Sequence, residues 1–287
     1  MPVTRKQSVK KKVVLKKKII DKGVLGEIEP LGAGLEAGIK MVLYGRTGTG
    51  KTTLWSTFPK PILALICSGV ERSGEVRSIL TPQNCKSIEQ WVVTGKDGLV
   101  ELCHALKEEN SYKTIVLDHA TGLQDLLLKQ ILGLEELPAQ GSWGMASRDS
   151  WGTCTLQSKE CLRSLLNLSC NTVIVAQERE FNTEVENDML SPYVGAALTP
   201  STTGWLNHTC DYICQTFIRQ QVSEKKTKIG GKVITQQIKG KGVQYCLRTA
   251  PHDVYMTRFR IPREKSDSLP EQIVNPTYQK IEELIEI

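Results

Sequence analysis

Short apolar runs alternate with segments of helical period along most of the chain. Residues 39–44 form an apolar run that stops at Gly45 and predicts a first buried strand, followed over 51–58 by a helix ended by Pro59 and Pro61. A second run of strand length occupies 62–66. Leu99, Leu102, Cys103 and Leu106 fall at i, i+3, i+4 and i+7, one face of a helix. Then come a strand over 114–117 ending at Asp118, a helix over about 121–134, and a Gly- and Pro-containing polar loop through Ser150. A helix carrying Leu156, Leu162, Leu165 and Leu166 leads to a strand over 172–176. This alternation predicts an α/β fold with a mostly parallel sheet flanked by helices on both faces.

After Gln177 the pattern changes. Residues 178–204, with Pro192, Gly195, Pro200 and Gly204, read as a long irregular stretch, which in a compact domain points to function or to disorder. Runs over 212–218, 232–238, 243–248 and 255–259 then predict strands, with Gly230-Gly231 and Gly240-Lys241-Gly242 as turns. They predict antiparallel edge strands near the C-terminus. Asn275 is the expected cap of a final helix through Ile285. The expected organisation is a basic, mobile arm over 1–30, one domain over 31–265, and a tail with a short helix over 266–287.

Of the 287 residues 40% are hydrophobic and 24% charged, ordinary for a globular protein, and no apolar stretch approaches a membrane span. The first residues are basic, unlike a secretory signal, so a cytoplasmic protein with no membrane contact is expected. Nine scattered cysteines without a CxxC pair, beside four histidines, read as reduced thiols, mostly buried. The net charge of +6 is uneven: residues 1–22 hold nine Lys/Arg and one Asp, so the rest sums to −2. A second cluster, Arg219 to Arg248, has eight Lys/Arg against Glu224 alone. Two basic segments on a near-neutral body point either to contact with a polyanion or to solvated charge.

The chemistry concentrates where the first strand meets its helix. A phosphate cradle needs inward backbone N–H groups, small residues at tight turns, and a lysine within reach. Gly45, Arg46, Thr47, Gly48, Thr49, Gly50, Lys51 and Thr52 meet every requirement, with Thr53 next in the helix. The expected ligands are ATP and Mg²⁺, with Lys51 on the phosphates and Thr52 on the metal. Asp118, ending an apolar strand of the same sheet, is the expected second metal ligand, its alternative being a helix cap. Glu71 is the candidate for the attacking water, or a surface carboxylate. Gln177 is a candidate γ-phosphate sensor, or a plain strand-end amide.

The segments Gly45 to Trp55, Pro59 to Leu63, Thr114 to Asp118 and Val173 to Glu178, in that order, resemble the RecA-like P-loop ATPases. More closely they are similar to the phage-encoded ATP-binding proteins of that group, which include single-strand annealing recombinases. The resemblance covers about 39–262 and implies a RecA-like P-loop NTPase core, ATPase activity stimulated by DNA, single-stranded DNA as partner, and a homo-oligomeric ring or filament. It implies Arg258 and Arg260 as fingers reaching a neighbour's nucleotide, their alternative being surface charges on an edge strand, and DNA against the loops at 135–150 and 178–204. Trp143, Arg148 and Trp151 in the first are the candidate stacking and phosphate-binding groups. The second is acidic (Glu178, Glu180, Glu184, Glu186, Asp188), which opposes DNA contact at its front. The competing readings are a P-loop small-molecule or nucleotide kinase and an ATP-gated assembly protein without a DNA role.

Overall fold

The computed structural model describes residues 38–67, 75–134, 146–181, 193–229 and 232–285. The chain divides into two units, 1–36 and 37–287, and every described residue belongs to the second. The arm over 1–30 and the Gly230-Gly231 turn therefore lie outside the described residues.

The strands are β1 (Lys40–Gly45), β2 (Ile62–Ile66), β3 (Ile88–Val92), β4 (Thr114–Asp118), β5 (Asn171–Ala176), β6 (Glu178–Phe181), β7 (Tyr193–Ala196), β8 (Tyr212–Ile229), β9 (Lys232–Arg248), β10 (Arg258–Phe259) and β11 (Gln272–Val274). The helices are α1 (Lys51–Trp55), α2 (Lys96–Glu108), α3 (Ala120–Leu132), α4 (Arg148–Leu166), α5 (Pro200–Thr209), α6 (Arg263–Ser266) and α7 (Tyr278–Ile285). One nine-stranded sheet runs β11-β9-β8-β1-β5-β4-β2-β3, with β10 against the start of β8. The strands from β8 to β3 are parallel, while β9, β10 and β11 pair antiparallel near the C-terminus.

Alternate side chains of each central strand serve opposite faces. Val42, Tyr44, Leu63, Leu65, Ile115, Leu117 and Ile174 join one core with α2, α3, α4 and α5. Met41, Leu43, Ile62, Ala64, Val116, Val173 and Val175 join the other, with Leu54 and Trp55 of α1 and Ile281 of α7. Burial on both faces explains why these strands read as unbroken apolar runs. The nine cysteines are thiols rather than half-cystines, and all but Cys85 are buried. Among the described residues, no helix is long and apolar enough to cross a membrane.

Several boundaries differ from expectation. The first helix is shorter, α1 giving way to a turn after Trp55. Of the stretch 178–204, residues 182–192 lie outside the described residues; the described parts are regular, β6 and β7 pairing antiparallel and α5 starting at Pro200, a residue suited to a helix's first turn. The polar loop ends earlier, because Ser147 caps α4 by accepting the Ser150 N–H at 3.1 Å. Leu156 is 70% exposed, whereas Leu162 and Leu165 are buried; six residues are about one and two-thirds turns, which carries Leu156 off the apolar face.

The runs at 232–238 and 243–248 are one strand. Opposite Gln220 and Val222 the register moves from Val243 to Lys239, so Gly240, Lys241 and Gly242 form an irregularity within β9 rather than a turn. Only Arg258 and Phe259 of 255–259 are strand; Tyr255 makes an isolated bridge to Val194. Asn275 does not cap the last helix. It turns the chain after β11 with φ 47°, and Thr277 Oγ1 accepts the Lys280 N–H at 3.4 Å instead. The segment over 266–287, read as a tail, adds β11 to the sheet and buries Ile281 completely.

Candidate functional site

The turn between β1 and α1 opens at the carboxyl edge of the parallel strands. Gly48 and Gly50 have φ of 82° and 88°, where side chains other than glycine are strained. Gly45 is held for another reason as well: a Cβ there would stand 2.4 Å from Thr216 O. Among the described residues none accepts a hydrogen bond from the backbone N–H groups of 47–53, so the loop presents a row of unsatisfied donors. Lys51 folds over it, donating to Gly45 O at 2.7 Å and Arg46 O at 2.8 Å. Burial lowers its pKa, while Asp118 and Glu178 oppose that shift.

Asp118 is 4% exposed and reaches the same place from β4. Trp55 Nε1 donates to its Oδ2 at 2.9 Å, and the Thr52 hydroxyl also bonds to it. Burial raises the Asp118 pKa, opposed by the Trp55 hydrogen bond and by His119 and Lys51. The neighbouring cap is His119, whose Nδ1 accepts the Gly122 N–H at 2.8 Å; burial lowers its pKa. A hydroxyl and a buried carboxylate in contact beside a lysine fit the oxygen-ligand chemistry of Mg²⁺, and the row of free N–H groups fits a polyphosphate.

β5 lies between β1 and β4, so Gln177 at its end sits between the phosphate loop and Asp118. Thr47 Oγ1 donates to Gln177 Oε1 at 3.4 Å. On the next residue, Glu178 Oε1 holds Arg46 Nε at 2.6 Å and its Oε2 accepts from Gln215 Nε2 at 3.2 Å. Gln215 Oε1 accepts from Arg248 Nε at 3.2 Å, and the Arg248 guanidinium lies over the Phe217 and Tyr255 rings.

A cavity of about 740 Å³ brings together Thr47 to Thr53 with Asp118, His119 and Gln177. It is also lined by Ser78, Tyr245, Asn275, Pro276 and Thr277, none of which the sequence singles out for chemistry. Arg258 and Arg260 do not line it. Arg258 Nη1 donates to Asn207 O at 2.5 Å, and Arg260 donates to Asp211 Oδ1 and His208 O, both at 2.8 Å. Both thus hold the C-terminal end of α5 in their own chain. Arg148 is an exposed first residue of α4, while Trp151 is helical and packs against the core rather than lying in a loop. Glu71, Trp143, Glu184, Glu186 and Asp188 lie outside the described residues.

A family model described as an AAA domain matches residues 37–261. The chain belongs to this family. An AAA domain is a nucleotide-binding P-loop unit of ATPases and related NTP hydrolases, generally binding ATP with Mg²⁺, and the match spans the loop from Gly45 to Thr52. No curated protein matches the chain by sequence.

Proposed function

We propose that this AAA domain is a RecA-like, Mg²⁺-dependent ATPase that couples nucleotide to single-stranded DNA in phage or bacterial recombination, replication or repair, as a homo-oligomeric ring or filament. The observation that carries the reading is the position of Gln177. Its side chain meets the phosphate loop at Thr47, and the residue after it opens the β6–β7 hairpin while holding Arg46. A shift at the phosphate end therefore has a short route to that hairpin.

Within the site, Lys51 would exchange the Gly45 and Arg46 carbonyls for phosphate oxygens, and Thr52 with Asp118 would hold the metal. Hydrolysis would pass the γ-phosphoryl group of ATP to water and release ADP and phosphate, and the metal, when bound, would supply neutralisation of the phosphate charge. Glu71 is assigned to the attacking water from its order in the sequence alone.

The β8–β9 ribbon supports the DNA partner. β8 runs parallel to β1, passes its end where Thr216 pairs with Gly45, and continues to Ile229, leaving the sheet at the edge that bears the phosphate loop. Residues 219–248 carry eight Lys/Arg against one Glu, a charge that suits a phosphate backbone. Phosphate release from Mg·ATP should rise on adding single-stranded DNA at low salt, and the mass in ATP should exceed that of a monomer. No stimulation at low salt would contradict the DNA role, and a monomer in ATP the assembly.

A further inference from the structure

The cavity is larger than the cradle at its floor, and among the described residues that line it the charge is confined to one part. Lys51 and Asp118 are the charged side chains of that lining, both beside the phosphate loop; Leu54, Thr57, Tyr245, Asn275, Pro276 and Thr277 carry no charge. A polyphosphate alone would leave this neutral part unfilled. A planar, uncharged heterocycle suits it.

Two strands build that wall. Val274 pairs with Cys246, so Asn275 comes opposite Tyr245, and its N–H donates to Tyr245 O at 2.7 Å. The Tyr245 ring is 43% exposed and leans on the last glycine of the loop: a Cβ on Gly50 would stand 3.0 Å from Tyr245 Cδ1. The turn at Asn275 is held by Lys280 Nζ, which donates to Val274 O and Asn275 O at 2.8 and 2.9 Å. Tyr278 N–H donates to Thr57 Oγ1 at 2.8 Å and ties the same turn to the end of α1. Among the described residues, none hydrogen-bonds the Asn275 side-chain amide, which lines the cavity.

We infer that Tyr245 and the 275–277 turn form the nucleobase subsite of this nucleotide site, with the Tyr245 ring as stacking face, Pro276 as apolar wall and the Asn275 amide reading the base edge. The inference rests on the nucleotide-binding reading above. It also makes a segment beyond residue 261, where the family match ends, part of the site.

Binding of ATP and of inorganic tripolyphosphate, each with Mg²⁺, separates the two. Tyr245→Ala should weaken ATP by about 5- to 100-fold, the worth of one aromatic stack, and leave tripolyphosphate affinity as in the unaltered chain. Tyr245→Phe should retain ATP affinity, and Asn275→Gly, which keeps the positive φ, should weaken ATP alone. Equal loss of both ligands in Tyr245→Ala, or loss of neither, would overturn the subsite. An unaltered chain that binds neither ligand would defeat the nucleotide-binding reading itself, and the subsite with it.

Discussion

Trp55 Nε1 donates to Asp118 Oδ2 across 2.9 Å, in a place where both side chains are buried. The indole leaves the helix of the phosphate loop and fixes a carboxylate from another strand, so one contact aligns the two proposed metal ligands. Trp55→Phe should keep the packing and strand the carboxylate, costing about 1–3 kcal/mol of stability. A lower denaturation midpoint and a higher Mg²⁺ requirement for ATP hydrolysis are expected; an unchanged Mg²⁺ titration would contradict the alignment.

Gly50 combines a φ of 88° with the Tyr245 ring at its Cα. Gly50→Ala adds a Cβ in the left-handed region, a penalty of about 1–2 kcal/mol before the clash with the ring. ATP affinity should fall about tenfold or more. Calorimetric titration checks this, and full affinity would mean the loop does not need its present shape.

Glu178 joins Arg46 of the phosphate loop to Gln215 of β8 from the first residue of the hairpin. Glu178→Ala should leave ATP affinity within about twofold, because its ion-pair partner Arg46 is exposed and such pairs contribute little, and should abolish DNA stimulation of turnover. Stimulation equal to that of the unaltered chain would remove Glu178 from the coupling.

Asp125 lies on α3, half-buried, and burial raises its pKa above 3.8. The folded chain then holds this proton more tightly than the unfolded chain, so its contribution to stability falls as pH rises from about 3.8 through the folded value. Asp125→Asn should melt higher than the unaltered chain at pH 7, with the difference vanishing below about pH 4. Melting curves at several pH values decide it, and a constant difference would contradict the burial effect.

The phosphate loop was legible because its requirements are local: the glycines, Lys51 and Thr52 are contiguous, between an apolar run and a helical one. Asp118 and Gln177 were legible because each ends a parallel strand whose burial on both faces makes it an unbroken apolar run. Tyr245 and Asn275 were not, since strand pairing alone brings them to a loop about two hundred positions earlier in the chain. The β6–β7 hairpin was missed because Glu178, Arg179 and Glu180 lack apolar alternation; its strands pair with each other, outside the main sheet. Arg258 and Arg260 illustrate the converse: alternate spacing sends both guanidiniums toward α5, but spacing cannot say whether they meet their own chain.

ATP binding and hydrolysis by Lys51→Ala beside the unaltered chain test the central claim most directly. The unaltered chain should bind Mg·ATP and release phosphate, and the variant should lose turnover by about 100-fold or more, the scale of removing one transition-state donor, with weaker ATP binding. Unchanged ATP affinity and turnover in Lys51→Ala would contradict the assignment of Gly45 to Thr52 as the phosphate-binding loop.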